Sequence, residues 1–380
     1  MLKMKIGIVC YPTFGGSGVV ATELGVALSK KGHEVHFITY QQPARLHSHI
    51  LDKNISYHEV LVSRYALFQY PPYELALASK LVNVVEYEKL DVLHVHYAVP
   101  HASSAFMAKQ ILRSKGINIP IVTTLHGTDI TLVGKDPSYE PVVTFCINES
   151  DKVTAVSHSL KNETLDFFDV KKQIEVIPNF IDFDKFSKKS VDHFRSAICP
   201  DNEKLLVHIS NFRKVKRIDH VIKMFHQVRA KIPAKLLLVG DGPERVSLEA
   251  LCKELEVCKD VRFLGKVNAV EDLLSVADLF VMPSEKESFG LAALEAMACE
   301  VPVVCTNAGG LPELVEHGVS GMITEIGDVE GLARNALTIL APDALPVFKK
   351  NALERAKKFA ISQIMPLYER LYEQAIAATI

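Results

Sequence analysis

The sequence lacks several features that mark other classes of protein. Its seven cysteines form no CxxC pair, so neither a zinc ribbon nor a disulfide framework is indicated. No uninterrupted apolar run approaches the roughly 18 residues that suggest a membrane span. The apolar run Ile6–Tyr11, which follows Lys3 and Lys5, is too short for a signal peptide. We therefore expect a cytoplasmic protein with reduced thiols and no membrane span.

An excess of charge of one sign is also missing. The chain has 43 lysines and arginines against 45 aspartates and glutamates, which gives a net charge of -2. This balance argues against nucleic acid as the main partner. The glycine turn Gly15–Gly18 does not match the GxGxxG fingerprint, and no GKS or GKT follows it. NAD binding and a P-loop are therefore not indicated.

Short apolar runs alternate with amphipathic stretches along the chain. With 380 residues, 48% of them hydrophobic, two domains are expected, each with a core of its own. The alternation predicts an α/β protein with two doubly wound parallel sheets that face each other across a cleft. We place the boundary at residue 178, before a stretch without clear periodicity. The predicted strands are Lys5–Cys10, Glu34–Tyr40, Asp91–His96, Ile119–His126, Lys152–Ser157, Ile174–Ile177, Leu205–Ser210, Lys235–Val239, Val261–Leu264, Leu279–Met282 and Val301–Cys305.

The stretch Met282–Gly310 carries two carboxylates, Glu287 and Glu295, with seven residues between them. We predict a helix from about Gly290 to Cys299, with Ser288 as its N-cap. A helix start suits a phosphate, and carboxylates accept hydrogen bonds from hydroxyl groups. This combination favours a sugar nucleotide as ligand. A solvated loop charge and an ordinary polar helix position explain the pair equally well.

Further polar residues follow predicted strands of the first domain. The turn Gly15–Gly18 permits close approach of a ligand to the backbone. His126 ends a strand, where it serves either a ligand or a structural hydrogen bond to Asp129. His94 and His96 lie on one face of a strand, but no third ligand at suggestive spacing supports a metal there. Tyr97, at the strand end, is the better candidate for substrate contact.

The second domain has a cluster of cations after its first strand. Arg213, Lys214, Lys216 and Arg217 are either solvated charges or groups that neutralise a leaving diphosphate. The segment 182–184 forms a DxD, a metal–diphosphate signature elsewhere. Because it lies at the boundary between the domains rather than at a strand end, we interpret it as linker.

Together these segments resemble the retaining glycosyltransferases of GT-B type in glycosyltransferase family 4. The shared motifs are the E-x7-E element, the GDGPE turn at 240–244, VIPN at 176–179, NAGGLPE at 307–313 and the HGTD loop at 126–129. They occur in the same order and cover essentially the whole chain. The resemblance implies that a C-terminal helix at 363–380 packs back on the first domain, so that the second domain spans 179–362.

Other segments are most similar to family members that make the first intermediate of bacillithiol. These are GGSGVVATELG, HVHYAVPHA, TTLHGTDITLVG, VSHSLK and SNFRxVKR. The resemblance implies UDP-N-acetylglucosamine as donor, L-malate as acceptor and retention of the anomeric configuration. It assigns Glu287 and His126 to the donor sugar, Glu295 to the ribose, and Gly16 to the diphosphate. The backbone of Phe289, Gly290 and Leu291 would meet sugar and diphosphate.

One departure from the family pattern concerns the cations. Asn211 stands where the family has arginine, and Arg213 comes two residues later. We assign neutralisation of the diphosphate to Arg213 and Lys216, and we expect no metal and no cofactor because these cations and a helix N-terminus replace a metal. The acceptor carboxylates need donors at strand or helix ends of the first domain; the candidates are Ser17, Tyr97, Thr124 and Asn148.

Three other functions stay open at this point. A related hexosyltransferase with another acceptor, including a membrane lipid, would need a basic surface, for which Arg45, Lys53 and Arg64 make a thin case. A UDP-N-acetylglucosamine 2-epimerase shares the architecture but forms no adduct with an acceptor. A non-catalytic UDP-sugar sensor would not need both Glu287 and Lys216. The oligomeric state, a homo-oligomer included, is left open.

Overall fold

A computed structural model describes residues 3–13, 15–49, 51–62 and 69–379 of the chain. Arg64, one of the cations considered for a lipid surface, lies outside these ranges. Contacts divide the chain into two compact units. The first unit comprises Met1–Asn179 together with Ile361–Ile380, and the second comprises Phe180–Ala360. No helix in the described ranges is long and apolar enough to cross a membrane.

The first unit is a parallel sheet with helices between its strands. Its described strands pair in the order β3-β2-β1-β4-β5-β6-β7. The strands are β1 Lys5–Val9, β2 Glu34–Thr39, β3 Ile55–Glu59, β4 Val92–His96, β5 Ile121–Leu125, β6 Lys152–Ala155 and β7 Ile174–Val176. The helices are α1 Ser17–Lys30, α2 Tyr73–Glu88, α3 Ser103–Ser114, α4 Glu140–Glu149 and α5 His158–Phe167, with short helical turns at Ala44–His49, Ala98–Ala102 and Asp129–Val133.

The second unit repeats this architecture. Its strands, also parallel, pair in the order β10-β9-β8-β11-β12-β13. They are β8 Lys204–Ile209, β9 Ala234–Val239, β10 Val261–Gly265, β11 Leu279–Met282, β12 Val303–Thr306 and β13 Gly321–Thr324. The helices are α6 Asp192–Ile198, α7 Ile218–Arg229, α8 Arg245–Glu254, α9 Val270–Val276, α10 Leu291–Ala298, α11 Leu311–Leu314, α12 Val329–Leu340 and α13 Leu345–Lys357, with a 3-10 turn at Lys214–Lys216.

The central strands match the sequence prediction closely, and two edge strands are additional to it. Strands β1, β4 and β5 are almost entirely buried because helices cover both faces, and this gives the continuous apolar runs that marked them in the sequence. The unpredicted strands β3 and β13 lie at sheet edges, where several residues remain half-exposed. Their apolar signal is therefore weak.

The last helix, α14 at Ile361–Ala377, belongs to the first unit. Its Tyr372 hydroxyl lies 2.8 Å from His94 Nδ1 under the sheet. The buried carboxylate of Glu369, also on this helix, accepts a hydrogen bond from Lys31 Nζ at 2.7 Å and lies 3.0 Å from His33 Nε2. Because a buried carboxylate needs such partners, these contacts fix the helix on β4 and α1.

Each sheet reverses its strand order at one point. The reversal lies between β1 and β4 in the first unit and between β8 and β11 in the second. At such a point the loops that follow the two strands diverge in opposite directions, which leaves a crevice outside their carboxyl ends. These four loops contain the Gly15–Gly18 turn, Tyr97, the cation cluster and Glu287.

Candidate functional site

In the second unit, the loops after β8 and β11 are bonded to each other. Lys216 Nζ lies 2.6 Å from Glu287 Oε2, and both side chains are mostly buried. Nearby, the backbone N–H of Glu285 donates to the carbonyl of Val215 at 2.9 Å. The structure therefore brings together two predicted catalytic residues that lie far apart in the sequence.

Arg217, which directly follows Lys216, holds the same two loops in place. Its guanidinium contacts Glu285, Asp219 and His220. Its backbone is left-handed, with φ 48° and ψ 47°, a conformation that costs a residue with a side chain roughly 1 kcal/mol. The several contacts of its side chain offset that strain. In the sequence Arg217 is only one member of the cation cluster, and no local signal indicates its role in positioning the two loops.

Arg213 is placed differently from Lys216. Its side chain is exposed and forms no hydrogen bond or ion pair with a described residue. Only its backbone is engaged, since its N–H donates to the carbonyl of Asn211 and its carbonyl accepts from Lys216. Arg213 is thus close to Lys216 along the chain, but its guanidinium remains available for a ligand.

Helix α10 begins at Leu291, and Gly290 is its N-cap. The prediction that Ser288 caps this helix is wrong. Gly290 has φ 99°, a conformation that disfavours any side chain, and no side chain caps the first turn. A helix start without a side-chain cap leaves backbone N–H groups for an anion. Phe289 itself is buried against Phe359, so only its backbone can serve a ligand.

Glu295 lies one turn into α10 and is buried. It follows Leu291 by four residues and so shares that residue's side of the helix. The other carboxylate of the motif, Glu287, precedes the helix in the loop. Glu287 therefore precedes the N-terminus of α10, and Glu295 lies within the helix; that both contact one ligand stays a prediction.

A second glycine pair, Gly309 and Gly310 of the NAGG turn, follows β12, and close backbone packing accounts for it. A Cβ atom on Gly309 would lie 2.0 Å from the carbonyl oxygen of Glu287, and one on Gly310 would lie 2.4 Å from that of Ser288. The N–H of Gly310 donates to the Glu287 carbonyl at 2.9 Å. The glycines therefore let this turn support the backbone on which Glu287 is carried.

In the first unit, Ser17 and Tyr97 meet at the reversal between β1 and β4. Ser17 Oγ lies 2.7 Å from the Tyr97 hydroxyl, next to Gly16 at the start of α1. Burial raises the pKa of Tyr97 to about 12, so its phenol stays protonated and can donate a hydrogen bond. This pair brings together two of the predicted acceptor ligands and the predicted diphosphate contact.

His126 pairs with another histidine rather than with Asp129. His126 Nε2 lies 2.8 Å from His96 Nδ1, and burial lowers the pKa of His126 to about 3. Asp129 instead accepts the backbone N–H groups of Ala98 and Gly127, at 3.0 and 3.1 Å. The His126 ring therefore does not form the structural hydrogen bond to Asp129 that was one of the two alternatives; only the His126 backbone contacts that carboxylate. Both rings of the histidine pair are neutral at pH 7, because burial also lowers the pKa of His96.

Two of the predicted acceptor residues have side chains that are engaged away from the Ser17–Tyr97 pair, although the Thr124 carbonyl accepts the Tyr97 backbone N–H at 2.9 Å. Thr124 is fully buried, and its hydroxyl is bonded to His94 at 2.7 Å and to Thr154 at 2.8 Å beneath α14. Asn148 lies at the end of α4, near the amino end of β6, where its amide binds the backbone of Asp169 and Lys171. Asn148 is thus at the amino edge of the sheet, remote from the crevice, whereas Thr124 is near the carboxyl end of β5 with its side chain in the core.

Residues 14–185 match the family described as Glycosyltransferase Family 4, and residues 191–359 match Glycosyl transferases group 1. The chain is 49% identical to the N-acetyl-alpha-D-glucosaminyl L-malate synthase of Bacillus anthracis, over 98% of this chain and 97% of that protein. It is 31% identical to an uncharacterized glycosyltransferase of Methanocaldococcus jannaschii, over 84% of each chain.

Solved structures share the fold at lower identity. The Anabaena protein HepE in complex with UDP and glucose superposes with a TM-score of 0.81 at 22% identity, covering 97% of this chain and 99% of that one. A sucrose-phosphate synthase from Thermosynechococcus elongatus gives a TM-score of 0.80 at 22% identity, covering 99% and 100%. These similarities assign the two parallel-sheet units to the GT-B fold.

Proposed function

The chain belongs to glycosyltransferase family 4, and we propose that it transfers N-acetylglucosamine from UDP-N-acetylglucosamine to the hydroxyl group of L-malate. The product would be the α-linked glycoside, formed with retention, and UDP would be released. Similarity to the Bacillus anthracis synthase supports this choice of sugar and acceptor. In that role the enzyme would catalyse the first step of bacillithiol biosynthesis.

The observation that carries the proposal is the Lys216–Glu287 pair beside the N-terminus of α10. A lysine ammonium has three N–H donors, and Glu287 engages one of them. The other two remain for the oxygens of a diphosphate, on which negative charge develops as the bond to the sugar breaks. Glu287 stays an acceptor for hydroxyl groups of the sugar. Lys216 and Glu287 would therefore stabilise the charge of the diphosphate and bind the sugar hydroxyl groups at a single site.

Exposed Arg213 and the first-turn N–H groups of α10 would complete the diphosphate site. Because they supply positive charge without a metal ion, we propose a transfer that does not depend on a metal. Glu295 would bind the ribose. The resemblance to the family also assigns Gly16 to the diphosphate. His126 would bind the donor sugar as a neutral ring, since its pKa lies far below 7.

For the acceptor, the first unit offers the Ser17–Tyr97 pair at the start of α1. Both hydroxyl groups and the N–H groups of a helix N-terminus donate to carboxylates, which are what malate presents. Thr124 and Asn148 are left out of this proposal because their polar groups are engaged elsewhere.

We propose same-face attack as the route to retention. The malate hydroxyl would approach the anomeric carbon on the side that the phosphate leaves, and the departing phosphate oxygen would take its proton. The residues assigned here bind hydroxyl groups and phosphate, so the protein contributes position and charge rather than a nucleophile. A covalent glycosyl-enzyme trapped in a variant would contradict this route.

The experiment that tests the function is incubation with UDP-N-acetylglucosamine and a panel of hydroxy acids. We expect UDP release that depends on L-malate and a product whose mass equals the adduct. UDP release without an adduct, or an isomerised UDP-sugar without UDP release, would point to hydrolysis or to a 2-epimerase. Transfer to lipid vesicles, with malate inactive, would indicate another hexosyltransferase of the family.

A further inference from the structure

A second cluster of polar side chains lies in the first unit, away from the Ser17–Tyr97 pair. It consists of His36 on β2, His58 on β3 and Glu88, the last residue of α2. Because α2 ends just before β4, Glu88 lies toward the amino ends of the strands, whereas Ser17 and Tyr97 follow strand carboxyl ends. Nothing in the transfer reaction uses this cluster.

The sheet register places the two histidines together. Ile38 pairs with His58, so His36, two residues earlier on β2, is the diagonal neighbour of His58 on the same face. Their rings stack with centroids 5.3 Å apart and an interplanar angle of 19°. His36 Nδ1 lies 3.0 Å from His58 Nε2. A neutral imidazole presents one nitrogen lone pair, which can bind a metal.

Glu88 brings a carboxylate to the same point. One ligand atom from each of the three side chains lies within 4.8 Å of the others. Lys5 donates to the backbone carbonyl of Glu88 at 3.1 Å but pairs its charge with Glu34. Within the described residues the half-buried Glu88 carboxylate has no ion pair or hydrogen bond of its own. Such a group is one that a cation would stabilise.

The chemistry of the three donors selects the metal. Two imidazoles and one carboxylate form a three-ligand set that zinc binds in tetrahedral geometry, with water in the fourth position. Calcium and magnesium prefer oxygen ligands, so two histidines disfavour them. We propose that His36, His58 and Glu88 bind a zinc ion that links the edge strands β2 and β3 to the end of α2. The proposal does not depend on the transferase activity.

The test is zinc binding by the intact, chelator-treated protein, measured by competition with a chromophoric chelator. The wild type should bind one zinc ion per chain, and zinc should raise its melting temperature. Glu88→Gln and His58→Asn should each weaken zinc binding by more than roughly 10- to 100-fold. That range is the cost of losing a residue that only hydrogen-bonds to a metal ligand, and these two residues would be ligands themselves. His47→Ala removes an exposed histidine of the same unit and should change nothing.

Two results would overturn the proposal. One is a wild type without a stoichiometric site, and the other is a Glu88→Gln variant that binds zinc as the wild type does. Circular dichroism checks that each variant folds. Should His58→Asn not fold, X-ray absorption of the zinc-loaded wild type decides, since two imidazole ligands are expected and a ligand set without them would contradict the site.

Discussion

Lys216 Nζ lies 2.6 Å from Glu287 Oε2, although 71 residues separate them in the sequence. Each residue follows one of the two strands, β8 and β11, between which the strand order reverses. The fold therefore turns a remote pair into one charged site.

Lys216→Met should reduce kcat by about 10²- to 10³-fold, the cost of removing one donor that stabilises developing charge. The same change also leaves the mostly buried Glu287 without its cation. The measurement is UDP release at saturating UDP-N-acetylglucosamine and L-malate. Lys214→Met removes an exposed lysine of the same 3-10 turn and is the matched control. Equal losses in both variants would show that only the net charge of the loop matters.

Arg217→Gly should lower kcat by about 10- to 100-fold, because a misplaced loop carries Lys216 and Glu287 out of position. Stability should change little, since relief of the left-handed strain offsets the lost ion pairs. We would measure kcat together with urea unfolding. Glu285→Gln should lower kcat similarly, and the double variant should be no worse than either single one. Fully additive losses would contradict a shared role.

Tyr97→Phe should raise the KM for malate and leave the KM for the UDP-sugar nearly unchanged. The change removes the hydroxyl that meets Ser17 at 2.7 Å and keeps the ring. Initial rates over a grid of both substrates separate the two constants. Tyr87→Phe, at an exposed tyrosine of α2, is the control. A raised KM for the UDP-sugar alone would place the acceptor elsewhere.

The protein should lose stability as the pH falls from about 6.5 toward 4. Burial lowers the pKa of His94 and His126 to about 3, that of His101 to about 4, and that of His96 well below its usual value. In the unfolded chain these rings take up protons near pH 6.5, so acid favours unfolding. Each histidine contributes on the order of 1 kcal/mol per pH unit.

Asp129 acts in the opposite direction. Burial raises its pKa to about 6, so the folded state takes up this proton before the unfolded state does. One carboxyl group does not offset four histidines with larger shifts. Urea unfolding at pH 7.5, 6.5 and 5.5 is the measurement. Between pH 7.5 and 8.5 these groups have the same charge in the folded and unfolded states, so they should not change the free energy of unfolding. A midpoint independent of pH below 6.5 would show that the rings are not buried as neutral groups.

Transfer should persist in the presence of a chelator, because Lys216, Arg213 and the start of α10 supply the positive charge that a metal would provide. UDP release with excess EDTA should match that without it. The Glu88→Gln variant distinguishes a metal required for transfer from a zinc ion that only stabilises the fold. If EDTA acts by removing the proposed stabilising zinc, its effect should be absent in this variant. Activity lost in EDTA and restored by Mn²⁺ in both proteins would refute a metal-free transfer.

The sequence by itself determined the architecture and the residues at the centre of the proposed donor site. Buried parallel strands appear in the sequence as continuous apolar runs. A loop that leads from a strand into a helix is also recognisable from neighbouring residues, as in the E-x7-E element. The βα series, the E-x7-E element and the strand-end position of Tyr97 could therefore be read from the order of residues. The edge strands β3 and β13 escaped detection because half-exposed strands carry little apolar signal.

Tertiary structure decided which of the singled-out residues lie together. Thr124 and Asn148 occupy strand or helix ends as Tyr97 does, yet one faces the core beneath α14 and the other lies at the opposite edge of the sheet. Arg217 became a positioning residue only once the loop after β11 brought Glu285 to it. The His36–His58 pair depends on the register of two neighbouring strands, and Glu88 on where α2 ends. Such contacts join residues remote in sequence, and no local pattern encodes them.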